Sequence, residues 1–198
     1  MKKEDDVATK KITIERFSIT SPKPFGEVVS AITAQVGHPD ITQFYSAIQT
    51  AENDVELQRL VDSAVGPSDL MEFMRLDHGV VLRRELGPGA PNVMRLLIGN
   101  PLIMRKMVKH VPDSGSYAPV TILIDERADG VHLSYDRMAS LIAPYENAAA
   151  LDVARALDSK VEGPGTLICT SRSSQCKAAP RGITLTAAIF SGSAPCKP

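Results

Sequence analysis

Two alternating runs joined by Asp129-Gly130 constrain this chain more than any other feature in it. Val120-Thr121-Ile122-Leu123-Ile124-Asp125-Glu126 is β-branched and apolar, and Val131-His132-Leu133-Ser134-Tyr135-Asp136 alternates apolar with polar. Asp-Gly suits a two-residue hairpin turn whose central residues need positive φ. With those two as the loop, Ala128 faces Val131, Glu126 faces Leu133, Asp125 faces Ser134 and Ile124 faces Tyr135. Side chains alternate across a strand, so Ile122, Ile124, Val131, Leu133 and Tyr135 share a face that must be buried. Thr121, Leu123, Asp125, Arg127, His132, Ser134 and Asp136 share the other. That second face is solvated, bound to a ligand or covered by another subunit.

Upstream, residues 93–98 read as a strand that breaks at Gly99-Asn100-Pro101 into a helix. Asn is a strong N-cap and Pro suits the first helical turn. Ile103, Met104, Met107, Val108 and Val111 then hold one apolar stripe. The free amides at such a helix start can serve an anion or a plain structural cap.

The rest of the chain supplies covering elements. Residues 12–20 read as a strand with a bulge, and residues 24–36 as a helix with Phe25, Val28, Val29, Ile32 and Val36 inward, ended by Gly37. Asp40 to Gln43 and Asn53 to Glu56 have capping-box spacing, each followed by an apolar stripe, so residues 40–65 form a small helical pair. A strand at 70–76, a short helix or irregular arm at 77–86, a Gly-Pro-rich connection at 87–91 and a closing helix at 147–161 complete the domain. The pattern predicts an α+β fold, a two-layer domain with helices packed on one face of an antiparallel sheet. Residues 1–10 are expected to be a disordered N-terminus, 11–162 the single domain, and 163–198 a disordered extension rich in Ser, Pro, Gly and Cys.

Charge and composition narrow the function. The chain has 22 basic and 23 acidic residues, no Trp and no basic stripe, so it lacks the footprint of a nucleic-acid binder. No apolar run approaches the roughly 20 residues of a membrane span. The polar N-terminus lacks the apolar segment of a secretory signal, which makes a cytoplasmic location the expectation. Cys169, Cys176 and Cys196 fit no zinc spacing, and nothing before them can use a thiol. Gly-rich phosphate loops and dinucleotide fingerprints are absent. The core has no Gly-x-Ser-x-Gly, and Gly115-Ser116-Tyr117, in a loop beside the possible anion site, is the one suggestive stretch for a serine nucleophile.

The order of elements resembles the uncharacterised bacterial family called domain of unknown function 302, over about residues 12–162. The carriers are Ile98-Gly99-Asn100-Pro101, the Tyr117-Ala118-Pro119 entry to the hairpin, residues 120–126, and Ser134-Tyr135-Asp136 leading to Met138. The resemblance implies a two-layer α+β domain that tends to pair as dimers, and brings no assigned activity. The helical pair at 40–65 stands as an insertion relative to shorter members. Many members carry Cys where this chain has Gly99 and Val120, so a thiol-based role does not transfer. The usual Asp-Pro after the hairpin is Asp136-Arg137 here.

Asn100, Tyr117, Asp125, His132, Tyr135 and Asp136 are the candidate ligand-binding residues. His132, Asp125 and Asp136 share a hairpin face and could hold a metal for hydrolysis, but charged residues on an exposed face are ordinary and Arg127 among them repels a cation. His38, His78 and His110 have structural or exposed readings, and most methionines fall on core positions. The reading is a homodimeric module that binds a small ligand or a protein, without catalysis, cofactor or metal. The alternative is a metal-assisted hydrolase using His132, Asp125 and Asp136.

Overall fold

The computed structural model describes residues 9–169. Five strands, β1 (Arg16–Ser21), β2 (Met71–Asp77), β3 (Val93–Gly99), β4 (Val120–Arg127) and β5 (Gly130–Asp136), form one sheet. Their order is β1-β5-β4-β3-β2, and every neighbouring pair is antiparallel. Alternation puts Leu96, Ile98, Ile122, Ile124, Val131 and Leu133 on one face, each at most 4% exposed. Burying each such side chain contributes about 2 kcal/mol.

Three helices cover that face: α1 (Phe25–Thr33), α5 (Pro101–Val108) and α7 (Ala148–Cys169). Each does so through its apolar stripe. Val28, Val29 and Ile32 come from α1, Ile103 and Met107 from α5, and Ala150, Ala154, Leu157 and Val161 from α7. The result is the two-layer α+β domain expected.

The helical pair is α2 (Ile41–Thr50) and α3 (Asp54–Ala64). Asp40 accepts the Gln43 amide at 2.9 Å, and Asn53 accepts the Glu56 amide at 3.0 Å, so both starts form where their caps stand. Phe44, Val61 and Ala64 make a second small core with Met71 and Leu102. Gly37 is pressed against this pair: a Cβ there would lie 1.8 Å from the Ala64 carbonyl oxygen. The remaining helices are α4 (Gly79–Leu86), between β2 and β3, and α6 (Met138–Ile142), which follows β5.

Several details depart from the sequence reading. The hairpin pairs Ile124 with Leu133, Ile122 with Tyr135 and Asp125 with His132, a shift of two residues from the expected register. The loop is Ala128-Asp129, and only Gly130, at φ +132°, takes positive φ. Glycine is required there on a second ground, because a Cβ on Gly130 would sit 2.6 Å from the Ser21 carbonyl oxygen on neighbouring β1. A two-residue shift leaves each side chain on its expected face, which is why alternation could not reveal it.

The first strand starts at Arg16 instead of residue 12, since only residues 16–21 find partners on β5. The α1 helix stops at Thr33, and Gly37 turns aside to bridge Met71. Helix α7 continues through Gly163-Pro164-Gly165 to Cys169, past the expected boundary at 162; a proline within a helix forfeits one backbone hydrogen bond. The expected disorder of residues 1–10 and of the chain after 169 falls almost wholly outside the described residues, as do Cys176 and Cys196.

Candidate functional site

The sheet face opposite α1, α5 and α7 stays partly open. Ser18, Val93, Leu97, Leu123 and Ser134 are half-buried on it, and Met74 is 51% exposed. At one end of this face lies a groove of about 360 Å³. Arg16 comes from β1, Ser134 and Asp136 from β5, Thr121 and Leu123 from β4, and Arg95 from β3. The Pro112–Tyr117 3-10 turn and the link after it close one side with Tyr117 and Pro119, whose peptide bond with Ala118 is cis.

The two arginines differ in their pairing. Arg16 lies opposite Asp136 in the strand register and forms a two-pronged ion pair with it at 2.6 and 2.8 Å. That bond raises the guanidinium's already high pKa. Arg95 has one neutral partner, the Thr121 hydroxyl, which accepts from its Nη2 at 3.1 Å. Its Nε is buried with no acceptor, and among the described residues no carboxylate lies within ion-pairing distance of it. A buried donor without a partner is uncommon and costs stability.

The aromatic wall is fixed from behind. The Tyr117 and Tyr145 hydroxyls share a hydrogen bond of 3.2 Å, and Lys10 lies 3.7 Å above the Tyr145 ring. The shared hydrogen bond is the main reason the Tyr145 hydroxyl is pushed up to about 12.

The six residues singled out from sequence do not converge. Tyr117, Tyr135 and Asp136 border the groove, although the Tyr135 side chain is buried and its hydroxyl donates to Asp158 at 2.6 Å. Asn100 stands elsewhere, buried at the start of α5. Its Oδ1 accepts the Leu102 and Ile103 amides at 2.8 and 3.4 Å, and its Nδ2 donates to Asp69. This is a fully used structural cap, with no amide left for an anion at that side chain. Asp125 and His132 sit at the far end of the hairpin.

Those two residues are cross-strand neighbours, yet each is held by another partner. Asp125 takes a two-pronged bond from Arg127. His132 reaches the Asp129 carboxylate at 2.8 Å through Nε2, and Thr20 at 3.4 Å through Nδ1. Asp136 is four residues further along β5, roughly 13 Å at the rise of a strand, and is bound to Arg16. Among the described residues, no three His, Cys, Asp or Glu side chains are grouped to hold a metal ion.

Sequence reasoning missed Arg16 and Arg95. A signal for Arg95 was present: it is the single charge at an outward position of β3, between Val93 and Leu97. Arg16 had no such mark, because its importance comes from pairing with a residue 120 positions away.

Fold and groove together define a two-layer α+β domain with a polar cleft on the open side of its sheet. The model of the family described as Domain of unknown function DUF302 matches residues 47–163, more than half of the chain, and the chain belongs to that family. The match begins within α2, later than the residue 12 at which the resemblance was expected to start. No curated protein matches the chain. A solved structure described as an uncharacterized conserved protein DUF302 from Bacillus stearothermophilus superposes with a TM-score of 0.51 at 7% identity, covering 75% of this chain and 94% of that one. At that identity the likeness speaks for the fold. Among the described residues, no helix is long and apolar enough to cross a membrane.

Proposed function

We propose that this protein is a small-ligand-binding module that works as a cytoplasmic homodimer, with its ligand held in the groove at the end of the open sheet face. The observation that carries the reading is the groove itself. It combines hydroxyl side chains (Ser116, Tyr117, Thr121, Ser134), a half-buried arginine without a counter-ion, and apolar walls from Leu123 and Pro119. Ligand sites characteristically join apolar lining to a few convergent polar groups.

Pairing with a second copy draws support from a different region. Helix α4 presents Val80, Val81 and Leu86 at 49%, 71% and 61% exposure, and β2, an edge strand, adds Met74. Apolar side chains grouped on consecutive elements favour burial against a partner. Nothing in the geometry favours the metal-assisted hydrolase.

Native mass spectrometry of the full chain, purified without denaturation or an affinity tag, tests both parts. The expected result is a dimer mass with a reproducible excess from a bound small molecule, and a monomer mass for Val81→Glu. A bare monomer mass for the unaltered chain would refute the reading.

A further inference from the structure

We infer that the groove selects a monoanionic carboxylate with a small apolar body, anchored on Arg95. This rests on the groove being a ligand site and adds the chemistry it recognises. Arg95 occupies an unusual place for a cation. Leu76 and Leu123 flank it on the neighbouring strands, and Val93 and Leu97 flank it along its own. Within this apolar setting the Nε of the half-buried guanidinium is itself buried without a partner. Pairing in such surroundings is stronger than at an open surface, because the local dielectric is lower.

The charge balance chooses the ligand's charge. The groove is lined by two guanidinium groups and one carboxylate, and Arg16 already spends its charge on Asp136 with both prongs. One positive charge remains, which matches a carboxylate better than a phosphate dianion. The planar fork of arginine also matches a carboxylate's two oxygens. Thr121 holds the guanidinium from one side at 3.1 Å and so fixes its direction within the groove. Leu123, Leu141 and Pro119 provide apolar contact for the rest of the ligand.

The test is a titration of the ¹⁵N-labelled full chain with benzoate, benzamide and inorganic phosphate, followed through backbone amide shifts. Benzoate is expected to move the amides of Arg95, Thr121 and Ser134, with benzamide and phosphate at least tenfold weaker at the same positions. Arg95→Gln should lose the benzoate response while keeping a dispersed, folded spectrum, and Arg95→Lys should keep part of it. Equal responses to benzoate and benzamide at the groove would overturn the carboxylate inference and leave the ligand-site reading standing. A stronger response to phosphate, or a benzoate response unchanged in Arg95→Gln, would overturn it as well. Silence with all three probes would overturn it too, while the ligand-site reading would still be judged separately by the mass of the purified protein.

Discussion

Tyr135 at the end of β5 donates its hydroxyl hydrogen to Asp158 of α7 across 2.6 Å, and that carboxylate also starts a helix. Helix α6 has Arg137 as its N-cap residue, with no side-chain cap of its own. Asp158 supplies the cap from 20 residues away, accepting the Met138 amide at 2.8 Å and the Ala139 amide at 3.1 Å. One buried side chain thereby ties the last strand, the short helix and the long helix together.

Removing this carboxylate should be costly. Asp158→Ala leaves the Tyr135 hydroxyl and the Ala139 amide without their acceptor, and the Met138 amide with only the Tyr135 hydroxyl at 3.2 Å, so it is expected to destabilise the protein by about 3 kcal/mol. Tyr135→Phe should cost about 1–2 kcal/mol. Because the two share one hydrogen bond, the double variant should be less damaged than the sum of the singles by about 1 kcal/mol. Urea denaturation of the four proteins measures this, and strict additivity would show that the pair is not coupled.

Asp158 also makes stability depend on pH in a defined direction. Burial raises its carboxyl pKa, and the hydrogen bonds from Tyr135, Ala139 and Met138 offset that only in part. The folded chain then keeps this proton to higher pH than the unfolded chain, whose Asp titrates near about 3.9. Between the two values the native state binds more protons, so this group's contribution is greatest below the unfolded value and is lost as pH rises through the folded one. The stability of the unaltered protein relative to Asp158→Asn should therefore fall between pH 3 and 7. A relative stability that rises with pH over this range would contradict the assignment.

Gly130→Ala is expected to cost about 2 kcal/mol or more. Alanine at φ +132° is strained, and its Cβ would meet the Ser21 carbonyl oxygen at 2.6 Å. Ala128→Gly, in the same turn but at negative φ, should have little effect by comparison. Thermal unfolding of the two variants distinguishes them, and equal losses would mean that the turn is not built as described.

Asn100→Ala should cost about 2 kcal/mol, more than a solvent-exposed cap, because the amide also holds Asp69 from a buried position. Asn100 lies outside the groove, so any ligand mass seen on the native protein should persist in this variant. Loss of that mass with unchanged stability would return Asn100 to the binding site.

The sequence by itself determined the local structure and the sorting of faces. Alternation in residues 120–136 placed Ile122, Ile124, Leu133 and Tyr135 inward, because each neighbouring strand residue points to the opposite side of a sheet. Asp40, Asn53 and Asn100 marked helix starts that form where they stand, since a cap acts within three residues of itself. Tertiary structure alone decided the rest. The hairpin register is two residues from the expected one, and in it Gly130 passes close to the carbonyl of Ser21, a residue more than 100 positions earlier. Asp158 shares the apolar stripe of α7 with Ala154 and Val161, yet its role is set by Tyr135 and α6. Asp136 became Arg16's partner, and Arg95 was left with a neutral hydroxyl in place of a carboxylate, through strand order. Periodicity and capping are properties of a few adjacent residues, whereas the pairing of charges in the groove exists only once distant strands lie side by side.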